Sequence, residues 1–172
     1  MIHPIDGLPA PVLVFGWGNL SRGDDALGPL CVAALREQLP DTLLDQVEFL
    51  EDYQLQIEHA LDLVGRQAVL FVDASLTCGA PFEVTPLGAM QDASLSTHAL
   101  SPQALLRVFQ DLQGEPAPPC TLLAIRGEAF DLGAPPSPAA QAHLADALPW
   151  ARAWLAGQRA GLFAMGSFTI KA

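Results

Sequence analysis

The sequence has little positive charge and no long apolar run. Only 8 of its 172 residues are Lys or Arg, against 19 Asp or Glu, and the formal net charge is −11. We therefore expect no nucleic-acid partner, because phosphate binding needs clustered positive charge. No uninterrupted apolar segment reaches membrane-spanning length, and residues 1–11 lack the basic and apolar regions of a secretory signal. A cytoplasmic location without a membrane partner is the resulting expectation.

Cysteine is also scarce. Cys31, Cys78 and Cys120 are odd in number and lack CxxC spacing, and we expect Cys31 to lie in the core. The sequence contains neither a GxSxG motif nor a cysteine beside His98, which disfavours a serine or cysteine nucleophile. Apolar residues make up 51% of the chain and charged residues 16%. This balance predicts a single compact domain over residues 1–172.

The most informative segment is an apolar run that leads into a glycine-rich loop. Residues 12–15 favour a strand, and apolar positions recur at helical spacing from Leu27 onward. The pattern predicts the first strand, loop and helix of a parallel sheet, whose loop lies at the edge where such folds bind ligands. The loop carries Asp24 and Asp25, where a phosphate-binding loop has glycines and a lysine. It therefore favours a cation.

A second apolar run also ends in a carboxylate. Residues 68–72 are apolar and precede Asp73, which faces the Asp25 loop if the strands follow the common 2-1-3 order. A turn or capping role for Asp73 is the alternative. Residues 82–85 alternate and follow too closely for a helical crossover, which predicts an antiparallel edge strand. The predicted fold class is α/β, a three-layer sandwich with a mostly parallel, twisted sheet of about five strands and helices on both faces.

Four helices are predicted, at about residues 24–38, 54–64, 102–112 and 138–156. Asp24 is the expected N-cap of the first helix. Pro29 fits best in a first helical turn, so a distorted turn before it is the alternative. Ser101, which precedes a proline, is the expected N-cap of the third, and Leu112 is expected on its inner side. His59 in the second helix is expected to be packed or half-exposed, and His143 in the fourth to lie on the surface. His98 falls in a loop just before the third helix.

Three pieces of sequence together resemble one protein family. They are the glycines, asparagine and acidic pair of Gly16-x-Gly18-Asn19 and Asp24-Asp25 with Gly28, then Asp73 after its apolar run, then a histidine in Ser96-Thr97-His98. Their order is similar to that of the [NiFe]-hydrogenase maturation endopeptidases, and the match spans roughly residues 12–125. Where the family sometimes has glutamate, this chain has Asp25, which is one methylene shorter.

The resemblance implies a function and a site. Such an endopeptidase removes the C-terminal extension of a hydrogenase large-subunit precursor after nickel has been inserted. Carried over, the catalytic and metal-contacting positions are Asp25, Asp73 and His98, and the ion is nickel carried by the precursor. Other divalent ions suit the same oxygen and nitrogen donors. Residues 51–56 and the helix after them look closest to the branch that serves cytosolic, NAD-linked hydrogenases.

Two alternative functions and two mechanisms of cleavage are compatible with the sequence. The same residues would serve a non-catalytic nickel carrier or a docking module of hydrogenase maturation. A dinucleotide-binding domain is a weaker alternative, because Ser21 stands where GxGxxG requires glycine. In a peptidase, the three residues either recognise the precursor's nickel and so position the scissile bond, or use a metal to polarise the carbonyl or activate water.

Overall fold

Five strands form one sheet in the order β2-β1-β3-β5-β4. The computed structural model describes residues 7–89 and 99–166, and only the backbone of 163–166. The strands are β1 Val12–Trp17, β2 Val47–Asp52, β3 Ala68–Ser75, β4 Phe82–Leu87 and β5 Cys120–Arg126. Strand β1 pairs in parallel with β2 and β3, and β3 pairs in parallel with β5, whereas β4 is an antiparallel edge strand on β5. The predicted order and edge strand are confirmed.

Helices cover both faces of this sheet, as predicted. The α-helices are α1 Leu27–Gln38, α2 Asp41–Leu44, α3 Pro102–Gln113 and α4 Pro138–Gly166, and 3-10 helices lie at Gly23–Ala26 and Ile57–Leu63. Val12 and Val14 of β1 pack with α1 and α4, whereas the alternate residues Leu13, Phe15 and Trp17 pack with α3 and the 3-10 helix at 57–63. Strands buried on both faces lack polar alternation, which explains the continuous apolar runs. No helix in the described part of the chain combines the length and apolarity that crossing a membrane requires.

Several local predictions are confirmed. Cys31 is fully buried, and Ser101 caps α3 by accepting a hydrogen bond from the backbone N–H of Ala104 at 3.1 Å. Others are wrong. The helix predicted at 54–64 is a 3-10 helix, in which buried Ala60 and Leu63 are three residues apart, the spacing of that helix type. Leu112 is 61% exposed, because it lies one turn beyond Phe109, the last buried residue of α3.

The first helix has the alternative start that Pro29 suggested, and the last helix is longer than predicted. Helix α1 begins at Leu27 after a 3-10 turn, and Asp24 is not its N-cap because its carboxylate bonds to distant backbone groups instead. Helix α4 continues past the predicted end to Gly166, with Pro149 inside it. His143 was expected on the surface; it is half-buried, and its Nδ1 lies 2.9 Å from the carbonyl oxygen of Arg126.

The start of α1 lies against the ends of two strands with no space for a side chain. A Cβ on Gly28 would lie 2.4 Å from the carbonyl oxygen of Trp17 and 2.8 Å from that of Val72. Real Cβ atoms do not approach backbone oxygens so closely. The glycine of the motif therefore allows helix α1 to pack directly on β1 and β3.

We expect Gly28→Ala to lower the free energy of unfolding by about 1–3 kcal/mol, because backbone must move to admit the methyl group. The matched control is Gly157→Ala in exposed α4, where a Cβ meets no atom within 4 Å. That change removes a helix-interior glycine and should raise stability by about 0.5–1 kcal/mol. Urea unfolding of both variants measures the difference. Equal stability of the two variants would contradict the packing argument.

Candidate active site

The two adjacent carboxylates of the first loop have different environments. The side chain of Asp24 is fully buried. Its Oδ2 accepts hydrogen bonds from the backbone N–H groups of Glu128 at 2.7 Å and Ala129 at 2.9 Å, and its Oδ1 accepts one from Ser137 at 2.6 Å. The Ser137 hydroxyl donates a fourth bond, to Oδ2, at 2.9 Å. Asp24 thus ties the β1–α1 loop to the segment between β5 and α4.

Hydrogen bonding decides the charge of Asp24. Burial by itself raises the pKa of this carboxyl, but the backbone and hydroxyl donors from Glu128, Ala129 and Ser137 outweigh it and lower the pKa below the ordinary value. The carboxylate is consequently ionised at neutral pH. Because all four bonds are internal, Asp24 has a structural role, and Asp25 is the member of the pair available to a ligand.

Asp25 is partly buried at the carboxyl end of β1. Its Oδ2 accepts a hydrogen bond from the backbone N–H of Asn19 at 2.9 Å. Gly18 has a φ of +145°, and a Cβ there would lie 1.9 Å from the carbonyl oxygen of Asp25. The Gly-Asn pair therefore lets the loop fold back on itself, so that Asn19 holds the Asp25 carboxylate.

Asp73 lies on the neighbouring strand, two residues before the end of β3. Its pKa is raised to about 7, first by burial and also by the negative charge of Asp25, while hydrogen bonds from the backbone N–H of Ala74 and the side chain of Trp17 act in the opposite direction. The charge of Asp25 thus acts on Asp73 across the ends of the adjacent strands β1 and β3. Asp73 lies inside β3 and not in a turn.

The third predicted site residue, His98, lies outside the described residues. Within 7–89 and 99–166, no three His, Cys, Asp or Glu side chains are grouped so that they would hold a metal ion. Helix α3, which begins four residues after position 98, packs on the sheet face that carries Trp17, the side-chain partner of Asp73.

A cavity of about 380 Å³ adjoins the Asp25 loop at the ends of β1 and β2, between Asn19 and Tyr53. Around it, His59 bonds to Asp52 at 3.0 Å, and the side-chain amide of Asn19 donates to the hydroxyl of Tyr53. Sequence reasoning assigned none of these contacts. Only the unusual stretch 51–56 pointed to this region in the sequence, because hydrogen bonds between loops leave no periodic pattern.

These features define an α/β domain of doubly wound type, with two acidic residues at the crevice beside its first strand. It is similar to the hydrogenase maturating endopeptidase HybD from E. coli, with 26% identity, a TM-score of 0.66, and coverage of 86% of this chain and 93% of that one. A hydrogenase 2 maturation peptidase from a Thaumarchaeota archaeon matches with 25% identity and a TM-score of 0.59 over 84% of this chain and 97% of that one.

A third structure shares the fold at lower identity. The [NiFe] hydrogenase maturation protease HycI from Thermococcus kodakarensis is 21% identical, with a TM-score of 0.65 over 85% of this chain and 92% of that one. No family model matches the sequence, and no curated protein matches it significantly. The chain is therefore similar to [NiFe]-hydrogenase maturation endopeptidases both in the order of its motifs and in its fold, over most of its length.

We expect Asp24→Asn to lower the free energy of unfolding at pH 7 by about 2–4 kcal/mol, because an amide NH₂ would replace an acceptor among four donors. The folded-state pKa is lowered, so the stabilisation is present above the ordinary pKa of aspartate and is lost as pH falls through the folded value. The gap between wild type and variant should therefore shrink at low pH. Urea unfolding at pH 7 and pH 3 tests this, and a constant gap would contradict it.

The raised pKa of Asp73 predicts that this residue affects stability in the opposite direction from Asp24. Above the ordinary aspartate pKa, the unfolded chain releases this proton more readily than the folded one, so the carboxyl destabilises the fold increasingly up to and beyond pH 7. Asp73→Asn should therefore raise stability by at least about 1 kcal/mol at pH 8 and by less at pH 5. Asp146→Asn, on the exposed side of α4, is the matched control and should change neither value. A less stable Asp73→Asn at pH 8 would refute the assignment.

Proposed function

We propose that the protein is an endopeptidase that removes the C-terminal extension of a [NiFe]-hydrogenase large-subunit precursor after nickel has been inserted. The proposal is supported by Asp25 and Asp73, whose charges interact near the ends of adjacent strands in a fold shared with maturation endopeptidases. Two like charges brought together in a partly buried site are unfavourable without a cation. The site is therefore suited to a positively charged part of a substrate.

The roles of the residues follow from their chemistry. Asp25, Asp73 and His98 contact the nickel that the precursor carries, with two carboxylate oxygens and one imidazole nitrogen as donors. Asp25 is preorganised by the N–H of Asn19. Asp73 has a pKa of about 7, so that it is partly protonated before a cation arrives and releases its proton on binding.

Binding of the nickel positions the precursor for cleavage. The nickel fixes the precursor so that the scissile bond lies beside Asp73, and the gain is proximity and orientation. In the alternative mechanism a metal activates the attacking water, and a carboxylate of the site accepts the proton of that water.

The finer proposal concerns the substrate type. Residues 51–56 and the helix after them resemble the branch that serves NAD-linked hydrogenases, and this resemblance favours a cytoplasmic reaction. Tyr53 and Asp52 of this stretch line the cavity next to the Asp25 loop, so a difference between branches here is in a position to affect the substrate. Competition between precursors of the NAD-linked and of another hydrogenase type tests the preference, and equal trimming would contradict it.

Single substitutions Asp25→Ala, Asp73→Ala and His98→Ala should each lower the rate of precursor trimming by at least about a hundredfold, because each removes a donor to the nickel. The measurement is the mass of a purified nickel-loaded precursor before and after incubation. Asp146→Ala, an exposed carboxylate of α4, is the control and should trim at the wild-type rate.

Two further outcomes separate the alternatives. An unchanged precursor mass with the wild-type chain, accompanied by nickel transfer, would identify a carrier and contradict the peptidase. Chelator-treated protein that still trims the nickel-loaded precursor supports recognition of the precursor's own metal, whereas activity that returns only with added metal favours a metal-activated water.

A further inference from the structure

A chain of hydrogen bonds connects the 3-10 helix at 57–63 with the Asp25 carboxylate. At its far end, the Nδ1 of His59 accepts the backbone N–H of Gln56 at 2.9 Å. In the neutral ring the proton is therefore on Nε2, which donates to Oδ2 of Asp52 at 3.0 Å. The imidazole also contacts the ring of Phe15, with centroids 4.6 Å apart. His59 is thus held on three sides.

Asp52 continues the chain at the end of β2. Its other oxygen, Oδ1, accepts the backbone N–H of Tyr53 at 2.6 Å. Both carboxylate oxygens are therefore used to fix the turn that follows the strand. This turn sets the direction of the Tyr53 side chain, whose hydroxyl contacts Asn19 in the loop after β1.

Tyr53 and Asn19 close the connection to Asp25. The Tyr53 hydroxyl oxygen accepts the side-chain amide of Asn19, whose backbone N–H donates to Asp25. The carbonyl oxygen of the same amide accepts the N–H of Ser21 at 2.8 Å, which determines the orientation of the amide. Each link has a defined donor and acceptor, so the chain has one arrangement.

Tyr53 can also donate a hydrogen bond. Its oxygen is occupied as an acceptor, but no described residue accepts its O–H proton. The side chain lines the cavity of about 380 Å³ beside Asn19 and Asp52, and the residue is 64% exposed. Leu20, 60% exposed, adds apolar surface at the same place. A hydroxyl donor next to apolar surface suits an extended peptide, which offers carbonyl acceptors and side chains.

We propose that Tyr53 binds the precursor's peptide chain in this cavity by donating its O–H to a peptide carbonyl, and that His59 and Asp52 are positioning residues that hold Tyr53 for this contact. The inference rests on the proposed function for the identity of the peptide. His59 acts on cleavage only through Tyr53, because its ring nitrogens are used by Gln56 and Asp52.

A double-mutant cycle tests this order of action. Tyr53→Phe and His59→Leu should each lower kcat/KM for precursor trimming by about tenfold. In the Tyr53→Phe background, His59→Leu should have little further effect, since the hydroxyl it positions is gone. His59→Gln keeps a donor to Asp52 and should recover most of the activity. His143→Leu, which removes an imidazole on the opposite sheet face, is the control and should trim normally.

A spectroscopic readout tests the network without any precursor. Tyr53 is the chain's only tyrosine, so ring-¹³C-labelled tyrosine gives NMR signals from this residue alone. His59→Leu should shift these signals, whereas His59→Gln and His143→Leu should leave them close to the wild-type position. An unmoved signal in His59→Leu would overturn the positioning role.

The kinetic outcomes separate the two proposals. Additive losses in the cycle, or wild-type kinetics in Tyr53→Phe, would overturn the inference while the peptidase function stands. A wild-type chain that leaves the nickel-loaded precursor intact would contradict the proposed function and the cleavage part of the inference together. The tyrosine NMR signal tests the positioning role of His59 in both cases, because it does not depend on cleavage of the precursor.

Discussion

The buried charge of Asp24 is the constraint on which the site depends. A carboxylate without access to water is tolerated only when it is fully hydrogen-bonded. Asp24 obtains its four bonds from residues 128, 129 and 137, more than a hundred positions along the chain. The loop after β1 is thereby joined to the segment before α4, and the next residue, Asp25, projects from a loop that is held at both ends.

Two acids in this region show how environment separates structural from chemical roles. The pKa of Asp24 is lowered because its donors outweigh its burial, whereas the pKa of Asp73 is raised to about 7 because burial and the charge of Asp25 outweigh its two donors. One carboxyl stabilises the fold, and the other destabilises it at neutral pH. Such a cost is typical of functional groups, and it is offset by the well-packed strands β1 and β3 on either side.

The glycines of the first loop serve a purpose that differs from phosphate binding. In dinucleotide-binding loops they let backbone approach a pyrophosphate. Here Gly28 brings α1 against the carbonyl oxygens of Trp17 and Val72, and Gly18 lets the chain fold over Asp25. The same type of residue is required because in both cases backbone must approach closely, but this loop carries the carboxylates of Asp24 and Asp25.

The sequence by itself determined the strands β1 and β3 and the antiparallel edge strand, because apolar runs such as 12–15 and 68–72 are local signals and a short connection leaves no room for a crossover. Only the tertiary structure decided that Asp24 is buried and hydrogen-bonded to the segment before α4, and that residues 57–63 form a 3-10 helix. It also decided the contact between Tyr53 and Asn19. These features depend on hydrogen bonds between segments far apart in sequence, which exist only after the sheet has brought the loops together.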